Sequence, residues 1–387
     1  MRDQPLPPQL AKIYQRLTTP YLLIDKSILA RNLHRLRHKI EAAGCRLRPH
    51  FKTLKSLSAA PYLLPRLDAP ITVSTLAEAE ALAGQGYTNM IYAVGIVGEK
   101  LLRVQQLLQQ GVTLHVLLDS PEQAAMVNQF CDIQHCQISA LIEIDCDGHR
   151  AGLSLDDPRL LQIARSLHHG NAVLAGILIH AGESYHCRDP QALHQAAAHE
   201  VAVANQAKQF LLVHQLPCDI VSIGSTPTAC SYSDLTGISE VRAGVYSLFD
   251  LVMTQVGVCT LEDIAARVVT TIIGHHKNKG CLWIDAGWMA LSADSEPNPW
   301  RNGELYGRVI SPDGSLSENL WVTGANQEHG MITALDGAPI RFEDYPIGCR
   351  LQILPHHACA TTAMHSHYYL FDRPTDHHEI WSRIQGW

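Results

Sequence analysis

The chain has 387 residues, of which 46% are hydrophobic and 17% are charged, and this composition excludes a generally disordered protein. Its formal net charge of −7 argues against a nucleic-acid-binding surface. The chain contains neither an apolar run of the roughly 18–20 residues that a membrane span needs nor a signal-peptide core at its start, so we expect a cytoplasmic protein that binds neither nucleic acid nor membrane.

Capping patterns and apolar spacing predict a series of helices. The first is predicted over 27–44, where apolar residues recur at spacings of four, three and four and a glycine stands at the end. Further helix starts are indicated at Thr75, Ser120, Asp157 and Asp189, where a capping residue precedes a helix-compatible segment.

Eight short apolar or β-branched runs lie between these helices. We predict them as strands over 47–52, 71–74, 90–94, 113–119, 139–145, 174–180, 219–224 and 240–246. Apolar strands that alternate strictly with helices indicate a parallel sheet buried on both faces, and eight such units fit a closed (β/α)8 TIM barrel. An open doubly wound sheet is the alternative, but no G-x-G-x-x-G motif follows the first strand.

The pattern changes at about residue 265, where helical spacing gives way to successive strand-like runs. These runs cover 266–273, 280–284, 304–310, 320–323, 350–354 and 367–371. Turn residues separate them, so we predict a mostly antiparallel β domain. The expected organisation is a barrel over 27–264 and a β domain built from 1–26 plus 265–387.

Two candidate chemical groups lie at the carboxyl ends of the predicted barrel strands, where the active sites of such barrels are found. Lys52 ends the first strand, and desolvation at a barrel mouth would make its amine a nucleophile for a Schiff base; a solvated lysine is the alternative. Gly224-Ser225-Thr226 follows the seventh strand and could hold a phosphate, or could be an ordinary turn before Pro227.

Several motifs, in order along the chain, resemble the alanine-racemase-fold (fold type III) pyridoxal phosphate enzymes, and among them the D-serine dehydratase and D-threonine aldolase family. The resemblance begins with Thr19-Pro20-Tyr21-Leu22-Leu23-Ile24-Asp25 and Arg48-Pro49-His50-Phe51-Lys52-Thr53. It continues through 145–152, 180–185, 224–228, 240–250 and 285–287. It ends with Pro355-His356-His357-Ala358-Cys359, which is similar to that family's metal motif Pro-x-His-x-Cys.

The resemblance implies a role for each of a set of residues. Lys52 would bind pyridoxal 5′-phosphate as a Schiff base and act as the catalytic base. Arg150 would lie near the phenolic oxygen and the substrate carboxylate, His180 against the pyridine ring, and Arg242 near the pyridine nitrogen. Tyr185 would line the pocket. The remaining residues would hold the phosphate through hydroxyl or backbone groups; they are Gly224, Ser225, Thr226, Gly244 and Val245.

His357 and Cys359 stand at positions i and i+2, so on an extended strand they would project to the same side. An imidazole and a thiolate suit Zn²⁺, although another divalent cation such as Mn²⁺ is compatible, and two protein ligands suit a partly open catalytic site. A surface histidine beside a buried thiol is the alternative. In the resembling family dehydratases tend to carry Cys at the second position and aldolases Asp, so Cys359 favours dehydration.

These observations lead to one hypothesis and several alternatives. We expect a lyase that converts a small D-3-hydroxyamino acid, first of all D-serine, to a 2-oxo acid and ammonia, with the metal assisting loss of the β-hydroxyl. The alternatives are a D-threonine or 3-hydroxy-D-aspartate aldolase, a D-threo-3-hydroxyaspartate dehydratase and a non-catalytic pyridoxal phosphate carrier. A racemase fits less well, because it has no use for the metal pair. The resemblance also implies a homodimer.

Overall fold

A computed structural model describes residues 16–148, 150–298, 303–372 and 378–387. Its strands are β1 Tyr21–Asp25, β2 Arg46–Pro49, β3 Ile71–Val73, β4 Asn89–Gly95, β5 Thr113–Leu118, β6 Ser139–Ile144, β7 Val173–Ile179, β8 Ile220–Ile223, β9 Glu240–Ala243, β10 Ala266–His276, β11 Cys281–Ile284, β12 Glu296–Pro297, β13 Glu304–Leu305, β14 Gly307–Ile310, β15 Leu316–Ala325, β16 Gly330–Ala334, β17 Arg350–Pro355, β18 His367–Phe371 and β19 His378–Ser382.

The helices alternate with these strands through the first part of the chain. They are α1 Lys26–Ala42, α2 Ala60–Leu63, α3 Leu76–Ala83, α4 Leu101–Gln109, α5 Pro121–Gln134, α6 Arg159–His169, α7 Pro190–Val213, α8 Thr226–Ser231, α9 Leu251–Val256, α10 Trp288–Leu291 and α11 Ala358–Ala363. None of the helices in the described ranges combines the length and the apolar character that crossing a bilayer requires.

The described residues form two compact units. One unit comprises the described parts of Met1–Asn32, Ser247–Gln255 and Cys259–Arg383. The other comprises the described parts of Leu33–Tyr246, Val256–Val258 and Ile384–Trp387, and we call it the barrel unit. The functional division expected from the sequence, a cofactor-binding barrel over 27–264 and a metal-bearing β domain over 1–26 plus 265–387, stays a prediction.

The barrel unit confirms the predicted parallel barrel. Its eight strands pair in the order β2-β9-β8-β7-β6-β5-β4-β3, and every pair is parallel. A single bridge between His50 and Thr72 joins the two outer strands, so the barrel is nearly closed. Its interior includes Ile91, Leu117 and Leu141, all at most 1% exposed. Burying each of these side chains stabilises the fold by about 1.5–3 kcal/mol.

The helix signals in the sequence correspond to observed helix starts. Thr75 accepts a hydrogen bond from the N–H of Glu78 at 3.2 Å, and Ser120 forms a complete capping box with Gln123. Asp189 accepts from the N–H of Ala192 at 2.8 Å. At α6 the capping position is Pro158 rather than Asp157.

The other unit confirms the predicted, mostly antiparallel β domain. In the described part of this unit the main sheet has nine strands in the order β11-β16-β15-β14-β17-β10-β1-β18-β19, and only the β1–β18 pair is parallel. The sequence reading missed β1, which runs antiparallel to β10. It also missed β12, β16 and β19. Side chains from three distant segments, among them Tyr21, Val269 and Phe371, pack into one buried cluster.

Candidate active site

Lys52 lies just beyond the carboxyl end of β2, in the 3-10 turn Phe51–Thr53. The strand ends at Pro49 because His50 closes this turn: its Nδ1 accepts a hydrogen bond from the Lys52 N–H at 3.4 Å. The predicted strand over 47–52 is therefore too long. Phe51 and Thr53 are buried, whereas the Lys52 side chain is exposed. The desolvation of this amine that we considered from the sequence is therefore not provided by the barrel alone. The amine is instead accessible to a carbonyl compound.

The turn after β8 begins with a glycine that no other residue could replace without strain. Gly224 has a φ of +129°, and a Cβ at this position would lie 2.3 Å from the carbonyl oxygen of Arg242. Ser225 then caps α8: its Oγ accepts from the Thr228 N–H at 3.2 Å, and its own N–H donates to Thr228 Oγ1 at 3.1 Å. The N–H of Thr226, the first residue of α8, has no acceptor within a helix.

Substituting Gly224 by alanine is expected to destabilise the barrel by about 2–5 kcal/mol, since it combines a positive φ with overpacking against a backbone oxygen. Urea unfolding followed by circular dichroism would measure the loss. Gly44→Ala is the matched control, because Gly44 also has a positive φ of +78° but has no atom within 4 Å of the added Cβ. Equal losses in the two variants would contradict the importance of the contact with Arg242.

The turn after β9 packs directly against the turn that carries Lys52. The predicted strand over 240–246 ends early, at Ala243, whose carbonyl accepts from the His50 N–H at 2.7 Å. A Cβ at Gly244 would lie 3.1 Å from Thr53 Oγ1. Val245 begins the next 3-10 turn, so its N–H also has no acceptor within that turn. The structure thus brings Gly244 and Val245 to the same barrel end as Lys52.

His180 follows β7, and its Nδ1 lies 3.1 Å from the carbonyl oxygen of Gly224. Burial lowers the pKa of His180 to about 3, and the charges of Arg242, Arg150 and Lys52 add to this effect against the opposing hydrogen bond. The ring is therefore neutral near pH 7, and its Nδ1–H donates to the carbonyl oxygen of Gly224. The Tyr185 ring lies 6.3 Å from the His180 ring, and the Arg150 side chain is exposed.

Arg242 is buried and is held by two hydrogen bonds inside the barrel. Its guanidinium donates to Ser222 Oγ at 2.9 Å and to the carbonyl oxygen of Ile179 at 2.6 Å. Ser222 in turn donates to Glu240 at 2.7 Å, and Glu240 forms an ion pair of 2.7 Å with the buried Arg48. This network fixes the position and orientation of Arg242.

His50 also lies in this site, although it is not among the residues predicted from the sequence. Burial holds the pKa of His50 well below its ordinary value, and the charges of Lys52, Arg242 and His180 act in the same direction. His50 is therefore a neutral imidazole close to the amine of Lys52. Its place in the motif Arg48-Pro49-His50-Phe51-Lys52-Thr53 was the available signal.

The other unit contains the predicted metal ligands, but not on an extended strand. Strand β17 ends at Pro355, His357 is the N-cap of α11, and Cys359 lies in the first turn of that helix. The expectation of a shared strand face is therefore wrong. The turn nevertheless places the two side chains in contact. Burial alone would lower the pKa of His357, but Cys359, Asp250 and Asp294 together raise this pKa to about 10.

Asp294 orients the His357 ring. Its Oδ2 lies 2.6 Å from His357 Nδ1, which leaves the other ring nitrogen for a metal ion. Asp250, 1% exposed, accepts the N–H of Ala358 at 2.8 Å and so fixes the start of α11. Among the described residues no group of three or more His, Cys, Asp or Glu side chains could hold a metal ion.

Two family models match the chain. The model described as "Alanine racemase, N-terminal domain" matches residues 24–251. The model described as "Putative serine dehydratase domain" matches residues 265–371.

The chain is also similar to proteins of named function over almost its whole length. It is 43% identical to the D-threo-3-hydroxyaspartate dehydratase of Delftia sp. strain HT23, over 96% of this chain and 98% of that protein. It is 29% identical to the D-serine dehydratase of Dictyostelium discoideum, over 92% of this chain and 94% of that protein.

Solved structures give the same result. An alanine racemase-like protein of Idiomarina loihiensis superimposes with a TM-score of 0.92 at 47% identity, over 97% of this chain and 99% of that one. The Delftia enzyme superimposes with a TM-score of 0.91 over 96% of this chain and 99% of that one. Further structures of that enzyme are of a histidine-to-alanine variant and of a cysteine-to-alanine variant in a metal-free form.

Proposed function

The chain belongs to the family of alanine-racemase-fold pyridoxal phosphate enzymes that carry a C-terminal serine dehydratase domain, and on this premise we propose that it dehydrates small D-3-hydroxyamino acids. The observation that carries the proposal is the exposed amine of Lys52 at the end of the first barrel strand, beside two neutral imidazoles. An accessible primary amine suits covalent capture of an aldehyde, because it condenses to an imine, whereas the neighbouring imidazoles cannot.

The residues at this barrel end fit pyridoxal phosphate. Gly224 provides a turn with no side chain, and Thr226 and Val245 begin helical turns, so their N–H groups have no acceptor within the turn. The residues proposed to hold the cofactor are Lys52, Arg150, His180, Tyr185, Gly224, Ser225, Thr226, Arg242, Gly244 and Val245. The N–H groups of Gly224 and Ser225 are committed to Glu200 and Thr228, so these two residues would contribute turn geometry rather than backbone donors.

Bound pyridoxal phosphate supplies an electron sink for breaking the Cα–H bond, and a divalent metal supplies Lewis acidity toward the β-hydroxyl. The chain's own residues then have simple roles. Lys52 Nζ would accept the α-proton of the substrate. Arg150 binds the substrate carboxylate. Arg242, fixed by Ser222 and Ile179, would present a permanent cation to the ring nitrogen and would donate a hydrogen bond without giving up its proton.

The donor set of His357 and Cys359 fits Zn²⁺ or another divalent cation such as Mn²⁺. The imidazole contacts the thiol, and Asp294 Oδ2 lies 2.6 Å from its Nδ1, which fits a ligand pair with a carboxylate that orients the histidine. The histidine and cysteine replaced in the two Delftia variants are two positions apart, as His357 and Cys359 are, and this supports the assignment.

Removing the Asp294 carboxylate is expected to weaken metal binding by roughly 10–100-fold, because the His357 ring loses the hydrogen bond that fixes its orientation. Titration of metal-free Asp294→Ala with Zn²⁺ against a chromophoric chelator would measure the dissociation constant. Asp294→Asn, which keeps an oxygen acceptor, should recover most of the affinity. Asp336→Asn, on an exposed aspartate that contacts Asn319, is the control, and an unchanged affinity in Asp294→Ala would contradict the role.

D-Serine, expected from the sequence, and D-threo-3-hydroxyaspartate undergo the same elimination. The first yields pyruvate and ammonia, and the second yields oxaloacetate and ammonia. The higher identity to the Delftia enzyme favours 3-hydroxyaspartate as the better of the two substrates. The homodimer implied by the resemblance stays a prediction.

The deciding experiment incubates protein loaded with pyridoxal phosphate and Zn²⁺ with D-serine, D-threo-3-hydroxyaspartate and D-threonine, and identifies the products. We expect one 2-oxo acid per ammonia released, and no reaction of L-serine. Glycine plus an aldehyde would identify an aldolase instead. Bound cofactor without any product would identify a carrier.

A further inference from the structure

A fully buried acid, Glu200, lies under the turn proposed to hold the cofactor phosphate. It is 0% exposed and projects from the middle of α7, the long helix between β7 and β8. An unpartnered carboxyl group is costly to bury, so its hydrogen-bond partners must offset that cost. Burial raises the pKa of Glu200, and hydrogen bonds from Tyr232, Thr228 and Gly224 oppose the rise.

The partners of Glu200 are the turns that follow two neighbouring barrel strands. Oε1 accepts the N–H of Gly224 at 2.9 Å and the N–H of Ala181 at 3.2 Å. Gly224 begins the phosphate turn after β8, and Ala181 follows His180 after β7. One carboxylate oxygen thus joins the backbone of the phosphate turn to the backbone beside the histidine.

The second oxygen extends this connection into the hydroxyl groups of the phosphate turn. Oε2 accepts the hydroxyl of Tyr232, and that hydroxyl lies 3.0 Å from Thr228 Oγ1. Thr228 Oγ1 lies 3.0 Å from Ser225 Oγ, which lies 2.8 Å from Ser184 Oγ. Every side chain in this series of hydrogen bonds is buried.

These contacts fix the backbone of the turn. The N–H of Gly224 donates to Glu200 and the N–H of Ser225 donates to Thr228 Oγ1, so the N–H of Thr226, the first residue of α8, is the next backbone donor and has no acceptor within the helix. We propose that Glu200 is a positioning residue of the cofactor-phosphate subsite, acting through Gly224 and, by way of Tyr232 and Thr228, through Ser225. This inference rests on the proposed function, since it assigns the phosphate turn to pyridoxal phosphate.

The test compares two aldehydes that differ only in the phosphate group. Apoprotein is titrated with pyridoxal phosphate and, separately, with phosphate-free pyridoxal, and binding is followed by absorbance. In Glu200→Leu the affinity for pyridoxal phosphate should fall by roughly 10–100-fold, because two buried N–H groups lose their acceptor. The affinity for pyridoxal should change by less than about twofold.

Glu200→Gln keeps an oxygen for the two N–H groups and an amide that can reach Tyr232, so it should restore most of the affinity for pyridoxal phosphate. Gln206→Leu, at an exposed position of the same helix, is the control for the added leucine. If Glu200→Leu does not fold, Tyr232→Phe is used as the test variant instead. It should lose less affinity, and again only for pyridoxal phosphate and not for pyridoxal.

The outcomes separate this inference from the proposed function. Equal weakening of both aldehydes would show a general structural role for Glu200 and overturn the inference. Unchanged affinity for pyridoxal phosphate in a folded Glu200→Leu protein would overturn it as well. Absence of binding by the wild-type chain would instead overturn the proposed function.

Discussion

Replacing Lys52 by alanine is expected to lower turnover by about 10⁴-fold, because the variant loses both the covalent attachment of the cofactor and the base that removes the α-proton. The exposed side chain contributes little to packing, so the free energy of unfolding should change by less than about 0.5 kcal/mol. Steady-state 2-oxo acid release and urea unfolding measure the two effects.

Two further variants make this result specific. Lys52→Arg keeps the positive charge but cannot form the bond, and should be as inactive as the alanine variant. Lys208→Ala, at a lysine that donates to the carbonyl of Gly237, should keep full activity. Borohydride reduction of the wild-type protein with pyridoxal phosphate should label the peptide that contains Lys52. A label on another lysine would refute the assignment.

Removal of the metal is expected to lower the elimination rate on the order of 10³-fold while leaving pyridoxal phosphate bound. Hydroxide is a poor leaving group, and a Lewis acid lowers its barrier by several kcal/mol, each 1.36 kcal/mol being worth about tenfold. Chelation of the wild-type protein, followed by measurement of residual turnover and of the cofactor spectrum, would test this. Full recovery on adding back Zn²⁺ or Mn²⁺ is part of the expected result.

Single substitutions locate the metal. His357→Ala and Cys359→Ala should each reproduce the chelated state, because one remaining protein ligand is insufficient to retain the ion. Cys349→Ala is the matched control, because the Cys349 thiol lies in the same unit and donates a hydrogen bond to the backbone oxygen of Arg350. Metal content by atomic emission, together with turnover, gives the readout. Undiminished turnover in a metal-free variant would show that the ion has no part in the reaction.

The barrel could be predicted from the sequence because the signals for its strands and helices lie within short segments of the chain. Most barrel strands contain a short apolar or β-branched run, and four of the helices begin at a capping side chain, namely Thr75, Ser120, Asp189 and Ser225. Strand ends were less predictable: the side chain of His50 ends β2 before Lys52 by accepting a hydrogen bond from the Lys52 backbone. Such a side-chain contact leaves no trace in apolar periodicity.

The parts of the site that sequence reasoning missed depend on contacts between distant segments. Asp294 reaches His357 across 63 positions, and Glu200 reaches Gly224 across 24. Neither residue stands in a recognisable motif, so no local pattern selects it. The pair His357 and Cys359 was predicted from its spacing. The extended conformation predicted for it was wrong, because Asp250 fixes the start of a helix there.

Strand β1 has a consequence for how the protein must be synthesised. Its Tyr21 pairs with Val269 and its Leu23 with Tyr369, so the strand leaves the ribosome long before either neighbour exists. At roughly 5–20 residues per second, the β1 segment is synthesised on the order of tens of seconds before its partner strands. During translation of the barrel the segment therefore lacks both hydrogen-bonding neighbours, and we expect it to be bound by chaperones that recognise extended hydrophobic segments.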